Sequence, residues 1–217
     1  MKRRLILILS ALMITAAITP VYAADEWTQM QTQANQIATI ARAMGLPEDN
    51  PIIAEASRIW WEESVRMTRE AEEQAEAEAE LQAFLQDHNA DAVRMAKAMY
   101  CEARGISSKR ELSMICWAIL NRVDSPLFPN TIARVITPGQ IAHRSGAPTV
   151  NDHGIDLVAL AQDVLARYWK EKHGETDVGR TLPAGYVYYA GDGHHNYFRE
   201  QYRGRGSYNF GLWDPYS

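Results

Sequence analysis

Residues 89–123 read NADAVRMAKAMYCEARGISSKRELSMICWAILNRV, and this stretch decides the fold because it encodes two consecutive amphipathic helices. The first is predicted over residues 91–104 and ends at Gly105. Its expected core stripe follows three- and four-residue spacing and consists of Val93, Ala96, Tyr100 and Ala103.

The second helix of this stretch begins at Ser108, because Ser108 and Glu111 have the spacing of a capping box. Apolar residues at helical spacing carry it to about residue 123. Thr131 is placed to cap a short helix that ends near residue 136, and a further long helix is predicted over residues 155–172.

A β-hairpin is predicted near the C-terminus. Residues 186–189 (YVYY) and 195–198 (HNYF) have strand composition, and Gly191-Asp192-Gly193 between them is typical of a turn. Residues 199–217 are expected to be irregular. Several helices followed by one late hairpin predict an α+β domain.

Upstream of this domain, residues 25–87 are predicted to be helical, with one helix over 27–44 and an unbroken second helix over 52–86. Residues 69–80 are almost only Glu and Ala, which predicts a solvated helical spacer that the fold of the domain does not need. Trp60 and Trp61 are the candidate contact with a partner protein, and packing on the neighbouring helix is the alternative.

The N-terminus has the three parts of a secretory signal. Lys2, Arg3 and Arg4 precede an apolar run, which ends before Pro20 and a small-residue cleavage site at Ala23. An uncleaved anchor is the alternative, but the run is short for a membrane span. We therefore expect a signal peptide at 1–23, an acidic helical extension at 24–86 and a compact domain at 87–217. The mature chain is expected in the periplasm or outside the cell, without a stable membrane span.

Composition and charge exclude several classes of protein. The chain has 217 residues and no second apolar run near the length of a membrane span, so it is not a multi-span membrane protein. Its net charge is −5, which argues against binding to nucleic acid. The acidity is local, since residues 24–87 carry 4 basic and 14 acidic side chains, whereas residues 88–217 carry 15 and 13.

Glu102 is the leading catalytic candidate. It lies in the last turn of a predicted helix, where the helix dipole disfavours a second negative charge. A carboxyl group there has a reason to keep its proton, as a general acid must. The alternative is a solvated surface Glu that pairs with Arg104.

The other polar candidates have simpler structural explanations. Glu111 is explained by the capping box, and Asp192 by the hydrogen bonding of a turn. His194 and His195 are adjacent on a strand and point to opposite faces, so they are a poor metal pair. Gln140 is a polar loop residue. We expect neither a metal nor another cofactor.

Cys101 and Cys116 are the only two cysteines, and the sequence leaves their state open. Export permits a disulfide, whereas their expected positions at different depths on two helices favour separate thiols.

Five segments, in this order, resemble the SleB/CwlJ-type cell-wall hydrolase family, which includes spore-cortex-lytic enzymes. The resemblance covers roughly residues 92–198 and is carried by AMYCEARG (98–105), CWAILNRV (116–123), FPNTI (128–132) with VI (135–136), PGQ (138–140), and LPAGY (182–186) with GDGHHNYF (191–198).

The resemblance implies a lysozyme-like fold with a groove for glycan, and cleavage of peptidoglycan between N-acetylmuramic acid and N-acetylglucosamine. The family's catalytic acid corresponds to Glu102. Gln140, Tyr189, His194 and Asn196 are the expected substrate-binding residues. Several relatives are lytic transglycosylases, in which the sugar's own C6 hydroxyl attacks and one carboxylate suffices.

The chain departs from the family pattern in three places. Ile106 replaces a Glu, Gln140 is followed by Ile141 rather than Phe, and the spacing from Gly105 to Asn121 is one residue longer than expected. These differences bear on substrate preference more than on fold.

Two alternatives stay open at this point. A plain hydrolase would need a second carboxylate, for which Asp124, Asp152 and Asp192 are candidates. A non-catalytic glycan-binding or assembly protein could use the same fold.

Overall fold

The computed structural model describes residues 50–137, 139 and 141–217, together with the isolated positions 32, 35–36, 39–41, 43–45 and 47. The chain forms two compact units, residues 1–80 and 81–217. The expected signal peptide lies outside the described residues, and so does most of the predicted helix over 27–44. None of the described helices is long and apolar enough to cross a membrane.

The first described helix, α1, is Pro51–Asp87, and its unbroken course agrees with the prediction. It begins where the carbonyl of Asn50 accepts hydrogen bonds from the N–H groups of Ile53 and Ala54. Residues 72–80 are all exposed, as expected of a solvated spacer. Because exposed ion pairs contribute little, the helical propensity of Glu and Ala is the main local reason for this stretch to be helical.

The last turns of α1 belong to the second unit. Leu81 is buried, and Phe84 and Leu85 pack against the core of that unit. The structure therefore divides the two units at residue 80, whereas the sequence placed the end of the extension at residue 86.

We expect deletion of residues 24–78 to leave the second unit folded, because it removes none of these three side chains. Deletion of residues 24–86 should cost about 2–4 kcal/mol of unfolding free energy, since burial of a single leucine contributes about 1.5–3 kcal/mol. Urea denaturation of the two truncated proteins measures the difference. Equal stabilities would show that Leu81, Phe84 and Leu85 contribute nothing to the unit.

The core of the second unit is built by three helices that pack against one another: α2 (Asn89–Ala103), α3 (Lys109–Asp124) and α5 (Leu157–Lys172). The short helix α4 (Ile132–Val135) packs beside α2 and α3. Trp117 on α3 is fully buried at the centre of this cluster.

The core stripe predicted for α2 is partly wrong. Met95 and Met99 are fully buried, whereas Val93 and Tyr100 are only half-buried. The reason is that α2 packs against both α3 and α5. Its buried face is therefore wider than a single stripe and includes Met95 and Met99.

Two short strands form an antiparallel hairpin: β1 (Tyr188–Gly191) and β2 (Asn196–Arg199). Tyr188 lies opposite Arg199, and Gly191 lies opposite Asn196. A mainly helical unit with one two-stranded antiparallel sheet agrees with the predicted α+β class.

The first strand begins two residues later than predicted. The side chains of two buried residues on α3 occupy the carbonyl groups just before it: Asn121 donates to Pro183 and Tyr186, and Arg122 donates to Val187. The composition of residues 186–187 predicts a strand, but in the structure side chains of α3 bind the carbonyl groups of these residues.

The two cysteines are separate thiols. The Cys116 thiol is completely buried and donates to the sulfur of Met99 at 3.4 Å, and burial raises its pKa. Cys101 is half-buried in the last turn of α2.

Candidate active site

Glu102 is the penultimate residue of α2, and its side chain is half-buried. Its Oε1 accepts a hydrogen bond from the backbone N–H of Ala142 at 2.6 Å. The loop after α4 therefore reaches the carboxyl group. This bond fixes one carboxyl oxygen and leaves Oε2 as the other site for a proton.

The end of α2 is held by the loop over residues 151–153. Three successive carbonyl groups after Glu102 find donors there: Arg104 accepts from the N–H of Asp152, Gly105 from the imidazole of His153, and Ile106 from the side-chain amide of Asn151. These bonds satisfy helix-end carbonyls that would otherwise face solvent, and they fix the backbone that carries Glu102.

A pocket of about 280 Å³ separates the end of α2 from the hairpin. Residues 101–106 form one wall, and Glu102 is among them. Gly191, Gly193, His195 and Asn196 of the hairpin also line it. The sequence predicts Glu102 at a helix end, and the structure adds that the hairpin lines the same pocket.

A second pocket, of about 710 Å³, adjoins the first. Cys101 and Arg104 line both pockets, and Arg144 lines the second. The end of α2 therefore contributes to both pockets, and two arginines, Arg104 and Arg144, line the second.

Glu111 differs from its predicted role. Ser108 does cap α3, since its hydroxyl accepts from the N–H of Glu111 at 3.2 Å. The Glu111 carboxylate, however, bonds to the hairpin instead of the helix N-terminus. Its Oε1 accepts from the N–H of Asn196 at 2.7 Å, and its Oε2 lies 3.0 Å from Nδ1 of His195.

The turn between the strands is held by Asp192, as its residue type predicts. Its Oδ1 accepts from the N–H groups of His195 and His194, both at 2.8 Å. These two bonds lower the pKa of Asp192 from 3.8 to about 2.

This shift predicts an acid limit for the turn. Because the pKa in the folded chain is lowered, the stabilisation is complete above pH 3.8 and is lost as the pH falls through about 2. An NMR titration of the amide protons of His194 and His195 should show an inflection near pH 2. Asp192→Ala should abolish the inflection, and a midpoint near 3.8 would contradict the role of these bonds.

Tyr189 and Arg122 lie near Glu102 on the side of the core. Burial raises the pKa of Tyr189, and the negative charge of Glu102 raises it further. Burial lowers the pKa of Arg122, which the charges of Tyr189, Tyr188 and Glu102 partly offset. In the described residues the hydroxyl of Tyr189 has no hydrogen-bond partner, and Tyr189 lines neither pocket.

The structure brings only some of the predicted substrate-binding residues to the pocket. Asn196 lines it, whereas His194, which is exposed, and Tyr189 do not. Gln140 lies outside the described residues. His194 was the histidine expected to bind substrate, but His195 lines the pocket instead. The prediction that the two histidines are adjacent on a strand is wrong, because both lie in the turn before β2, where strand alternation does not decide which of them faces the pocket.

The three candidates for a second carboxylate do not line the pocket. Asp124 bonds to Tyr168 and Lys172, Asp152 is exposed near Arg104, and Asp192 is used by its own turn. Among the residues that the structure describes, no three His, Cys, Asp or Glu side chains are grouped to hold a metal ion.

Comparisons with known protein families, with curated proteins and with solved structures each yielded no match. The function is therefore inferred from the pocket and from the motifs in the sequence.

Proposed function

We propose that this protein is a peptidoglycan glycosidase with a lysozyme-like catalytic domain. It cleaves the glycan between N-acetylmuramic acid and N-acetylglucosamine, and it does so as a lytic transglycosylase. The observation that carries the proposal is the position of Glu102, which is half-buried at a helix end and lines a pocket together with His195 and Asn196 of the hairpin. The resemblance of the five segments to cell-wall hydrolases supports the same reaction.

In the proposed reaction, Glu102 donates its proton to the glycosidic oxygen as the bond to the anomeric carbon breaks. The C6 hydroxyl of the same sugar then attacks that carbon and closes a 1,6-anhydro ring. In the scheme with a single carboxylate, ionised Glu102 accepts the proton of this hydroxyl. An inverting or retaining glycosidase needs a second carboxylate in the pocket. Asp124, Asp152 and Asp192 do not line the pocket, and this supports the scheme with a single carboxylate.

Glycan strands of the cell wall are the proposed partner, and the protein meets them after export to the periplasm or the cell exterior. The signal-like N-terminus supports this location. An envelope protein that binds the acidic helices of the extension is a further proposed partner, since Trp61 is half-exposed on α1.

Digestion of purified sacculi, followed by mass spectrometry of the released fragments, tests the proposal. Anhydro-muramic ends are expected from a transglycosylase. Reducing muramic ends would identify a hydrolase instead. Binding to sacculi without release of fragments would favour the alternative of a non-catalytic glycan-binding or assembly protein.

A further inference from the structure

A carboxylate–imidazole pair lies on the hairpin side of the pocket. Glu111 is only 7% exposed, and both of its oxygens are occupied by the hairpin. Oε1 accepts from the backbone N–H of Asn196, and Oε2 is 3.0 Å from Nδ1 of His195. A buried carboxylate held in this way is a fixed hydrogen-bond acceptor.

This arrangement sets the tautomer of His195. Because an ionised carboxylate can only accept, Nδ1 must carry the hydrogen that points at Oε2. In neutral imidazole the lone pair is then on Nε2. No hydrogen bond from Nε2 to another group is found in the described part of the chain.

The ring of His195 is also held by packing. Tyr208 stacks on it with centroids 4.2 Å apart and planes 5° apart, and Tyr197 meets it edge-on at 6.5 Å. The imidazole nevertheless stays 41% exposed, and it lines the same pocket as Glu102. The pocket is thus lined by a carboxyl group from α2 and an imidazole from the turn of the hairpin.

We propose that His195 is a second catalytic residue, the base that takes the proton of the attacking oxygen, and that Glu111 is its positioning residue. This inference rests on the proposed function. In the single-carboxylate scheme Glu102 carries out both proton transfers. Here Glu102 donates the proton to the glycosidic oxygen, and His195 accepts the proton of the attacking hydroxyl.

The step balances without a further reactant. The bond between the anomeric carbon and the glycosidic oxygen breaks, and that oxygen receives the proton of Glu102. A bond forms between the anomeric carbon and the C6 oxygen, whose proton moves to Nε2 of His195. Exchange with solvent returns a proton to Glu102 and removes one from His195, which restores both groups.

Glu111→Gln gives a specific test of the positioning role. The side-chain carbonyl of the glutamine can still accept from Asn196, but its NH₂ group must then face Nδ1 of His195. Nδ1 becomes an acceptor, so the hydrogen moves to Nε2 and the base is lost from the pocket. A residue that only stabilises the hairpin would not change the tautomer.

The experiment combines ¹⁵N NMR of the histidine side chains with digestion of sacculi by the full chain. At alkaline pH, wild-type His195 is expected as the Nδ1–H tautomer, and Glu111→Gln is expected to shift it to Nε2–H. His195→Gln and Glu111→Gln should each lower kcat by about 10²–10⁴-fold, the usual contribution of a general base. His173→Gln, an exposed histidine outside both pockets, is the matched control.

The outcomes separate this inference from the proposed function. An Nε2–H tautomer in the wild type overturns the inference, whatever the stability of the variants. So does His195→Gln activity within a few-fold of wild type while Glu102→Gln is inactive, and the proposed function then stands. If wild-type protein releases no fragments from sacculi, the proposed function fails, and the inference that depends on it fails as well.

Discussion

Glu102→Gln should lower the release of glycan fragments from sacculi by about 10²–10⁴-fold, the loss that follows removal of a general acid. Glutamine keeps the shape of the side chain, and its carbonyl can still accept the hydrogen bond from Ala142. Only the proton at the second carboxyl oxygen is lost. The fold should therefore be unchanged while cleavage is abolished, as measured by fragment release and by thermal unfolding.

Glu175→Gln is the matched control, because Glu175 is exposed near Lys170 and lines neither pocket. It should cleave as the wild type does. Retention of binding to sacculi by Glu102→Gln would show that the pocket still receives glycan. Cleavage by Glu102→Gln within a few-fold of wild type would remove Glu102 from the mechanism.

The helices could be predicted well from the sequence, because the residues that begin and end a helix are close together in the chain. The caps at Ser108 and Thr131 depend on a hydroxyl and the N–H group three residues later, and both caps are present in the structure. The end of α2 near Gly105 was equally predictable. Glu102 could be singled out for the same reason, since its position at a helix end is a local property.

The hairpin side of the site could not be predicted in this way. Whether Glu111 turns back to its own helix or across to Asn196 depends on where the hairpin packs, 85 residues further along the chain. The choice between His194 and His195 depends on how the turn before β2 meets α3, where Glu111 lies against His195. Such contacts between distant residues leave no periodic signal in the sequence.

Asn121 joins α3 to the segment that leads into the hairpin. It is 4% exposed, and its NH₂ group donates to the carbonyls of Pro183 at 2.9 Å and Tyr186 at 3.0 Å. Its side-chain carbonyl accepts from Arg180 at 3.0 Å. Arg180 in turn lies over the ring of Trp117, with its guanidinium carbon 4.1 Å from the centroid. One buried amide therefore connects the core to the start of β1.

Asn121→Ala should lower the free energy of unfolding by about 2–4 kcal/mol, because two backbone carbonyls lose their donors and Arg180 loses an acceptor inside the protein. Urea denaturation measures this loss, and Asn130→Ala, at an exposed asparagine on the following loop, is the control and should change stability little. The same variant should weaken the pairing of β1 with β2 and shift the amide resonances of His195 and Asn196. It should also weaken glycan cleavage, although Asn121 does not line the pocket. A stability equal to that of Asn130→Ala would mean that the hairpin is held without this amide, and that the geometry of His195 does not depend on α3 through Asn121.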